Sequence, residues 1–439
     1  MLFAELINHS PKTVREAKSL PRTDVIRSTE RSLHAHRHFV GFRNHRVSRY
    51  RSAVTPQSIL IVAGEASGDQ LAAELVSALR QASGPIAPVF FGAGGPAMAA
   101  VGVEVLHDMS CLSAIGPADA LRQYWAYRRV FNSLLSEARN RTPSLVVGVD
   151  FGAFNLRLFK ALRPRYRRPT PFLNWFPKTV QFVSPQVWAS RPWRTDSMVP
   201  CLDLLLSILP FETEWYAKHA PEVPVRFVGH PLVDRHSRTP PAKTSPRRRQ
   251  LLLLPGSRPG ELRRHWPVMA TAAEEVRRKT GILPVLVLPT ESSRAWLPEA
   301  VTPPLGLEIH IGNLAEELSR TEVAIASTGT VTLECAWFTV PTVALYRTSW
   351  STYQIGRQII NVPYLALPNI LANKAVIPEF IQDAATPSAI AEAVIQLLND
   401  PVLRSKTVTE LERVRELLGV PGACRRAADA ILELSRASD

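Results

Sequence analysis

The sequence predicts an α/β protein of two Rossmann-like domains facing one another across a cleft. Three observations point there. Short apolar runs alternate with helical stretches, the pattern of βαβ units around a parallel sheet. The alternation stops at the Pro- and Lys/Arg-rich stretch Ser237–Arg249 and then restarts. The length, 439 residues, suits two or three domains at about 150 residues each. Hydrophobic residues make up 46% of the chain, which excludes a disordered polypeptide and leaves material for two cores.

The elements follow in order. Ser58–Ala63 (SILIVA) reads as a buried parallel strand, GEASGD (64–69) as a turn with helix-start chemistry, and Gln70–Gln81 as the helix. Val89–Gly92 is a second strand, Ser144–Val149 a third that ends at Asp150, and Gln181–Ser184 and Leu204–Leu209 add two more. Beyond the linker come strand Leu251–Leu254, loop Pro255–Arg258, helix Glu261–Arg278 and strand Val285–Leu288. Strand Val323–Ala326, loop Ser327–Thr330 and a helix through Thr332–Phe338 complete the second half. Ligands of such sheets bind outside the carboxyl ends of the strands, where all of these loops fall.

Charge narrows the partners. Lys+Arg number 52 against 38 Asp+Glu, a net +14, and residues 1–56 hold 11 of the basic residues against 4 acidic ones. That extension has no sustained apolar period and no apolar core of a secretory signal. It reads as a disordered tail or mis-called start, then as a membrane-surface arm, then as a targeting peptide, and in each case stands outside the catalytic fold. No nucleic-acid recognition motif accompanies the basic balance, which suits an anionic membrane surface or a phosphorylated substrate. No run reaches the roughly 18 apolar residues of a membrane span. The four cysteines, Cys111, Cys201, Cys335 and Cys424, form no CxxC pair and read as reduced thiols. Around Leu121–Phe131 (LRQYWAYRRVF) apolar and basic residues alternate, as in an interfacial helix or an ordinary surface helix.

Four strand-end loops carry the chemistry. In GEASGD, small residues let a ligand approach the backbone, while Glu65 and Asp69 suit sugar hydroxyls better than phosphate; Asp69 alternatively caps its helix. Asp150 in GVDFGAFN (148–155) stands at the tip of a buried strand, as a catalytic acid or a helix cap. PGSR (255–258), with Glu261 three residues on, suits a diphosphate; Ser257 and Glu261 also resemble a capping box. STGTVTLE (327–334) offers backbone donors and the hydroxyls of Thr328 and Thr330 around Gly329, with Glu334 a turn into the helix to take ribose hydroxyls. No GxxxxGK[ST], HExxH, GxSxG or DxD occurs, so neither a P-loop nor a metal-held sugar nucleotide is expected, and no cofactor.

Nine segments in this order resemble the lipid-A-disaccharide synthase family, inverting glycosyltransferases of GT-B architecture. They are AGEASGD (63–69), FGAGGPAM (91–98), GVD…FN (148–155), VSPQVWA (183–189), LPFE (209–212), FVGHPLVD (227–234), LLPGSR..E (253–261), TGTVTLE (328–334) and LPNILA (367–372). The resemblance covers the chain from about Ile59 onward. It implies UDP-2,3-diacylglucosamine as donor, 2,3-diacylglucosamine 1-phosphate as acceptor, a β-1,6-linked disaccharide 1-phosphate and UDP as products, and a Gram-negative-type source. It places the enzyme in the cytoplasm, peripheral to the inner face of the inner membrane. It also implies an extension over 1–57, an acceptor-side domain over 58–236, and a UDP-donor domain over 237–439 whose last helix is a candidate to pack back on the first.

By the same resemblance Asp150 is the first choice for the base, with Glu65 and Asp69 holding the acceptor or assisting. Arg258 with Thr328, Gly329 and Thr330 holds the diphosphate, Ser257 and Glu261 belong to the same UDP-donor site, Glu334 takes the ribose, and Asn369 lines the cleft. His230 is a donor contact or a hinge histidine. The chain departs from the family pattern at Gly152-Ala153, where Pro-Asp is usual, at Ser190 for tryptophan, and at Ile115 and Asp119 for Met and Glu. Two rival readings are another GT-B UDP-sugar enzyme (an N-acetylglucosamine transferase or 2-epimerase) and an inert lipid- or nucleotide-binding protein. AGEASGD together with VSPQVWA weighs against the first, intact Asp150 and Arg258 against the second.

Overall fold

The computed structural model describes residues 57–85, 87–109, 120–163, 175–237 and 248–436. The basic extension, Cys111, Ile115, Asp119 and the linker from 238 to 247 lie outside the described residues, as do the side chains of 120–123 and 248. The expected α/β fold is present as two parallel sheets. The first holds β1 (Ser58–Ala63), β2 (Val89–Gly94), β3 (Glu104–Asp108), β4 (Leu145–Val149), β5 (Lys178–Phe182), β6 (Leu204–Ser207) and β7 (Val225–Phe227), ordered β3-β2-β1-β4-β5-β6-β7. The second holds β8 (Arg248–Leu254), β9 (Leu283–Leu288), β10 (Glu308–Ile311), β11 (Thr321–Ser327), β12 (Thr342–Tyr346) and β13 (Glu379–Ile381), ordered β10-β9-β8-β11-β12-β13.

In each sheet the strand order reverses beside the first strand, between β1 and β4 and between β8 and β11. Connections leave such a point in opposite directions and open a crevice at the carboxyl ends. The four loops singled out above follow β1, β4, β8 and β11, so all four line the two crevices.

Burial explains which strands the sequence disclosed. Ile59–Ala63 of β1 and most of β4 are fully buried, because helices cover both faces of a parallel sheet and the strand must be apolar throughout. The outer strands β3, β7, β10 and β13 are only half-buried and mix polar with apolar residues. Boundaries also shifted. The first helix spans Ala66–Ser83, four residues earlier than expected, so GEASGD is largely its first turn. The strand expected over Gln181–Ser184 is Lys178–Phe182, ended by Val183 at φ 71°. Arg248 and Arg249 of the basic stretch already belong to β8.

The chain's last helix, Ala423–Arg436, lies on the first sheet. Ala427, Ala428 and Ile431 share one core with Ile59, Ile61 and Leu75. Asp234 accepts from the amides of Gly422 and Cys424, and Arg426 Nε donates to Val228 O at 2.8 Å. A separate core joins the two units: Trp188, Leu209 and Leu232 pack with Leu333, Leu367, Leu411 and Leu418. Beneath it the buried Glu212 accepts from the Trp188 indole (2.9 Å) and from Ser207 Oγ (2.7 Å), and burial pushes its carboxyl up to about 7. The VSPQVWA and LPFE segments thus form one network that seats Trp188 at the seam. Ser190 closes the short helix Val187–Ser190 and is half-buried.

Candidate active site

At the first crevice the ends of β4 and β5 are held in unusual backbone. Asp150 (φ 51°), Phe151 (φ 37°) and Val183 (φ 71°) all lie in the left-handed region. Aspartate tolerates it; a bulky aromatic and a β-branched residue do so only when their surroundings impose it. Gln181 Nε2 imposes it here by donating to Asp150 O (2.6 Å) and Val183 O (3.1 Å), and Asn155 Nδ2 adds a bond to Asp150 O (3.0 Å). Phe151 lies across the β1 loop, where a Cβ on Gly64 would stand 2.4 Å from its ring, so only glycine fits. Gly68 backs onto Asp150: an added Cβ would touch the Asp150 Cβ at 3.7 Å. Asp150 is therefore half-buried at a strand tip beside the start of the helix Ala66–Ser83.

Two acids of the first loop have separate fates. Asp69 was expected to hold the acceptor, assist the base or cap its own helix. It is 5% exposed, and its two oxygens accept from the amides of Gly95 (2.8 Å), Ala97 (2.9 Å) and Met98 (3.0 Å). It caps the next helix, Pro96–Ala100, which corrects the expectation that it caps its own. Glu65 is the N-cap residue of Ala66–Ser83, yet its side chain makes no cap bond. It reaches across the cleft and accepts from Arg258 Nη2 at 2.7 Å.

At the second crevice, Gly256 (φ 115°) turns the chain under the Glu261 carboxylate, which a Cβ would meet at 2.4 Å. The helix Pro259–Thr280 begins at Arg258 with no side-chain cap, so Ser257 does not cap it. Glu261 instead accepts from Ser257 N (3.2 Å) and from Arg258 Nη1 (3.4 Å). Burial works against the Arg258 charge, but Glu65 and Glu261 outweigh it and hold the guanidinium above its ordinary range. Across the switch point Gly329 (φ 137°) starts the helix Thr330–Trp337, again with no side-chain cap. Thr328 and Gly329 are half-buried and Thr330 is exposed, so this helix start is accessible. Glu334 is partly exposed, with His236 Nε2 3.8 Å away.

Sequence reasoning missed the brace between these loops. His265 is fully buried; its Nδ1–H donates to Pro255 O (2.8 Å) and its Nε2 accepts from Arg347 N (3.1 Å). Burial lowers its pKa, which suits the neutral tautomer that these two bonds require. His265 thus ties the end of β8 to the end of β12. Tyr346 packs edge-on to it at 5.8 Å, and burial followed by the Glu261 charge pushes its hydroxyl up to about 12. The histidine i+4 from Glu261 on one helix was the available signal.

One further expectation changes. Asn369 does not line the cleft: it is 1% exposed, its Nδ2 donates to Ile377 O and Glu379 Oε1, and its Oδ1 accepts from Val376 N and Ile377 N. It fastens the helix Leu367–Ala372 to the following loop. His230 is also buried, and its Nδ1 accepts from Leu232 N (3.1 Å) as the N-cap of Pro231–His236, while its amide donates to Leu418 O (2.9 Å). These bonds fit the hinge reading, and they leave Nε2 for the donor reading.

Burial, then the nearby Arg235 charge, lowers the His230 pKa to about 4. The unfolded chain therefore binds a proton between pH ~6.5 and ~4 that the folded chain does not, and stability falls as pH drops through that window, by up to about 3 kcal/mol. His230→Asn keeps a cap acceptor without the titration. The Tm lost between pH 7 and pH 4.5 should be smaller in the variant than in the parent; equal losses would remove His230 from the acid response.

The comparisons with known proteins give the family and the fold. A family profile described as lipid-A-disaccharide synthetase matches residues 59–434. The lipid-A-disaccharide synthase of Geobacter metallireducens is 36% identical over 390 residues, covering 86% of this chain and 97% of its own. Among solved structures, the Arabidopsis thaliana protein UGT89C1 complexed with UDP superposes with a TM-score of 0.56 at 12% identity, covering 87% of this chain and all of its own. The glycotransferase of kitacinnamycin gives 0.53 at 18% identity, covering 86% and 99%. At these identities the two structures speak for the shared two-domain fold alone.

Proposed function

The chain belongs to the lipid-A-disaccharide synthase family and is a glycosyltransferase of GT-B fold; from that premise we propose how its residues divide the work. The unit 58–236 takes 2,3-diacylglucosamine 1-phosphate and the unit 237–439 takes UDP-2,3-diacylglucosamine. The acceptor's 6-hydroxyl attacks the anomeric carbon of the donor. As the new O–C bond forms, the bond from that carbon to the diphosphate oxygen breaks, with inversion, and the hydroxyl proton passes to Asp150. The products are a β-1,6-linked disaccharide 1-phosphate and UDP. Arg258 and the helix start at Thr328–Thr330 neutralise the charge that gathers on the diphosphate. Glu334 takes the ribose.

One observation carries this reading. Glu65 from the first switch point and Arg258 from the second meet at 2.7 Å, so the acid-bearing and cation-bearing loops face one reaction space. A direct assay with both diacyl substrates tests it. Disaccharide and UDP are expected; an epimerised UDP-sugar would favour the epimerase-like alternative, and UDP binding without turnover an inert homologue.

We also propose that the protein works against an anionic membrane surface, on the cytoplasmic face of the inner membrane. No helix among the described residues is long and apolar enough to cross a bilayer. The helix Ala120–Arg141 instead presents Tyr124 and Trp125, each 50% exposed, beside exposed Arg128 and Arg129; the Arg128 guanidinium lies 5.3 Å from the Trp125 ring. Indole and guanidinium together suit a headgroup layer, and each basic residue near an anionic surface contributes about 1 kcal/mol. Arg128→Glu with Arg129→Glu should lower co-sedimentation with phosphatidylglycerol vesicles by tenfold or more, roughly two such contributions. Turnover of detergent-dispersed substrates should stay near that of the parent. Unchanged vesicle binding would move the membrane contact elsewhere.

A further inference from the structure

Arg258 already carries two anions. Its Nη2 donates to Glu65 and its Nη1 to Glu261, while the second Glu261 oxygen accepts from Ser257 N. Carboxylates thus take up the guanidinium fork and a backbone donor, the two kinds of group that a diphosphate would use. The two acids differ in how firmly they are placed. Glu261 is built into the same helix turn as Arg258, against Gly256. Glu65 comes from the other domain, its side chain makes no bond to its own helix start, and it pairs with Arg258 where both side chains are about one-third exposed (38% and 32%). Its loop is kept in place without it, because Asp69 does the anchoring.

We infer that Glu65 is the counter-ion of Arg258 only while the donor position is empty, and that the diphosphate of the incoming nucleotide displaces it. Exchange frees Glu65 to face the acceptor, so the donor adds first and the acceptor side is completed by donor binding. The inference rests on the reading that Arg258 holds the diphosphate. An ion pair one-third exposed at the cleft is open to exchange: solvent-exposed pairs are worth at most about a factor of five in an equilibrium. A doubly charged diphosphate accepting from the same Nη2 gains more than one carboxylate does. The pair therefore lowers the apparent affinity for nucleotide by the fraction of molecules in which Arg258 is occupied.

Calorimetric titration of the full chain with UDP tests this as a double-mutant cycle of Glu65→Gln and Arg258→Ala. Glu65→Gln alone should bind UDP roughly two- to fivefold more tightly, the reciprocal of the fraction of molecules in which the pair is open. In the Arg258→Ala background the same substitution should leave UDP affinity unchanged, since there is no guanidinium to release. In steady state Glu65→Gln should lower KM for the donor without raising kcat, a split that a purely structural role would not give. Glu65→Ala, which also removes the carboxylate, provides a second variant should the glutamine variant fold poorly. Equal or weaker UDP binding by the folded variants would overturn the exchange. So would a gain that persists without Arg258, which would mark a general charge effect. If Arg258→Ala itself leaves UDP affinity unchanged, the diphosphate assignment fails and the inference with it.

Discussion

Asp150→Asn should lower turnover by about 10²–10⁴-fold, the usual cost of losing a general base, while UDP affinity and Tm stay near those of the parent. An aspartate of ordinary pKa near ~3.9 is a weak base toward a sugar hydroxyl. It acts late, as the attacking oxygen becomes acidic in the transition state, so its loss falls on kcat rather than on binding. The substitution is gentle to the fold for reasons visible at the site. Asparagine tolerates the left-handed backbone of this position. The bonds from Gln181 and Asn155 end on the Asp150 carbonyl, which the substitution keeps. More than about a tenth of parental turnover, below the low end of that range, would make Asp150 a positioning residue. Glu65 would then be the next candidate base, ahead of the buried Asp69, which caps the next helix. A variant that failed to fold would assign the aspartate a structural role at the strand tip.

The central strands and the four chemical loops were legible because each physical demand acts locally. A strand buried on both faces must be apolar, and a loop that meets a ligand at its end must be small and polar. SILIVA followed by GEASGD, and LLLL followed by PGSR, state both demands within a dozen residues. The half-exposed strands stated them weakly, and β12 (TVALY) is too short an apolar run for periodicity to separate strand from helix. What stayed hidden was tertiary pairing between polar groups. Asp69 and Asn369 look like ligand residues in sequence, and each turns out to fasten backbone elsewhere, Asp69 in the next βα unit. Glu65 and Arg258 are 193 positions apart, and no local pattern predicts that they meet. His265 was passed over because a histidine inside an amphipathic helix announces neither of its two backbone partners.

Arg258→Ala is expected to cost one to two decades in kcat/KM and to weaken UDP binding. Hydrogen bonds to charged groups are worth roughly 1.5–3 kcal/mol, and Arg258 offers a planar fork to a leaving group that gains charge as the glycosidic bond breaks. The part of the loss that appears in kcat measures how much the contact strengthens in the transition state; the part that appears in KM measures ground-state binding. A neighbouring acid makes the loss larger than a simple deletion. Without the guanidinium, Glu261, fixed beside Ser257 N, loses its counter-ion and faces the diphosphate position as a bare negative charge. Raising the salt should then recover part of the UDP affinity of the variant, because screening weakens that repulsion, whereas it should weaken UDP binding to the parent. Arg258→Lys should fall between the two, keeping the charge and losing the fork. Unchanged kinetics in Arg258→Ala would place the diphosphate elsewhere, and a loss that salt does not touch would show that the Glu261 carboxylate does not face it.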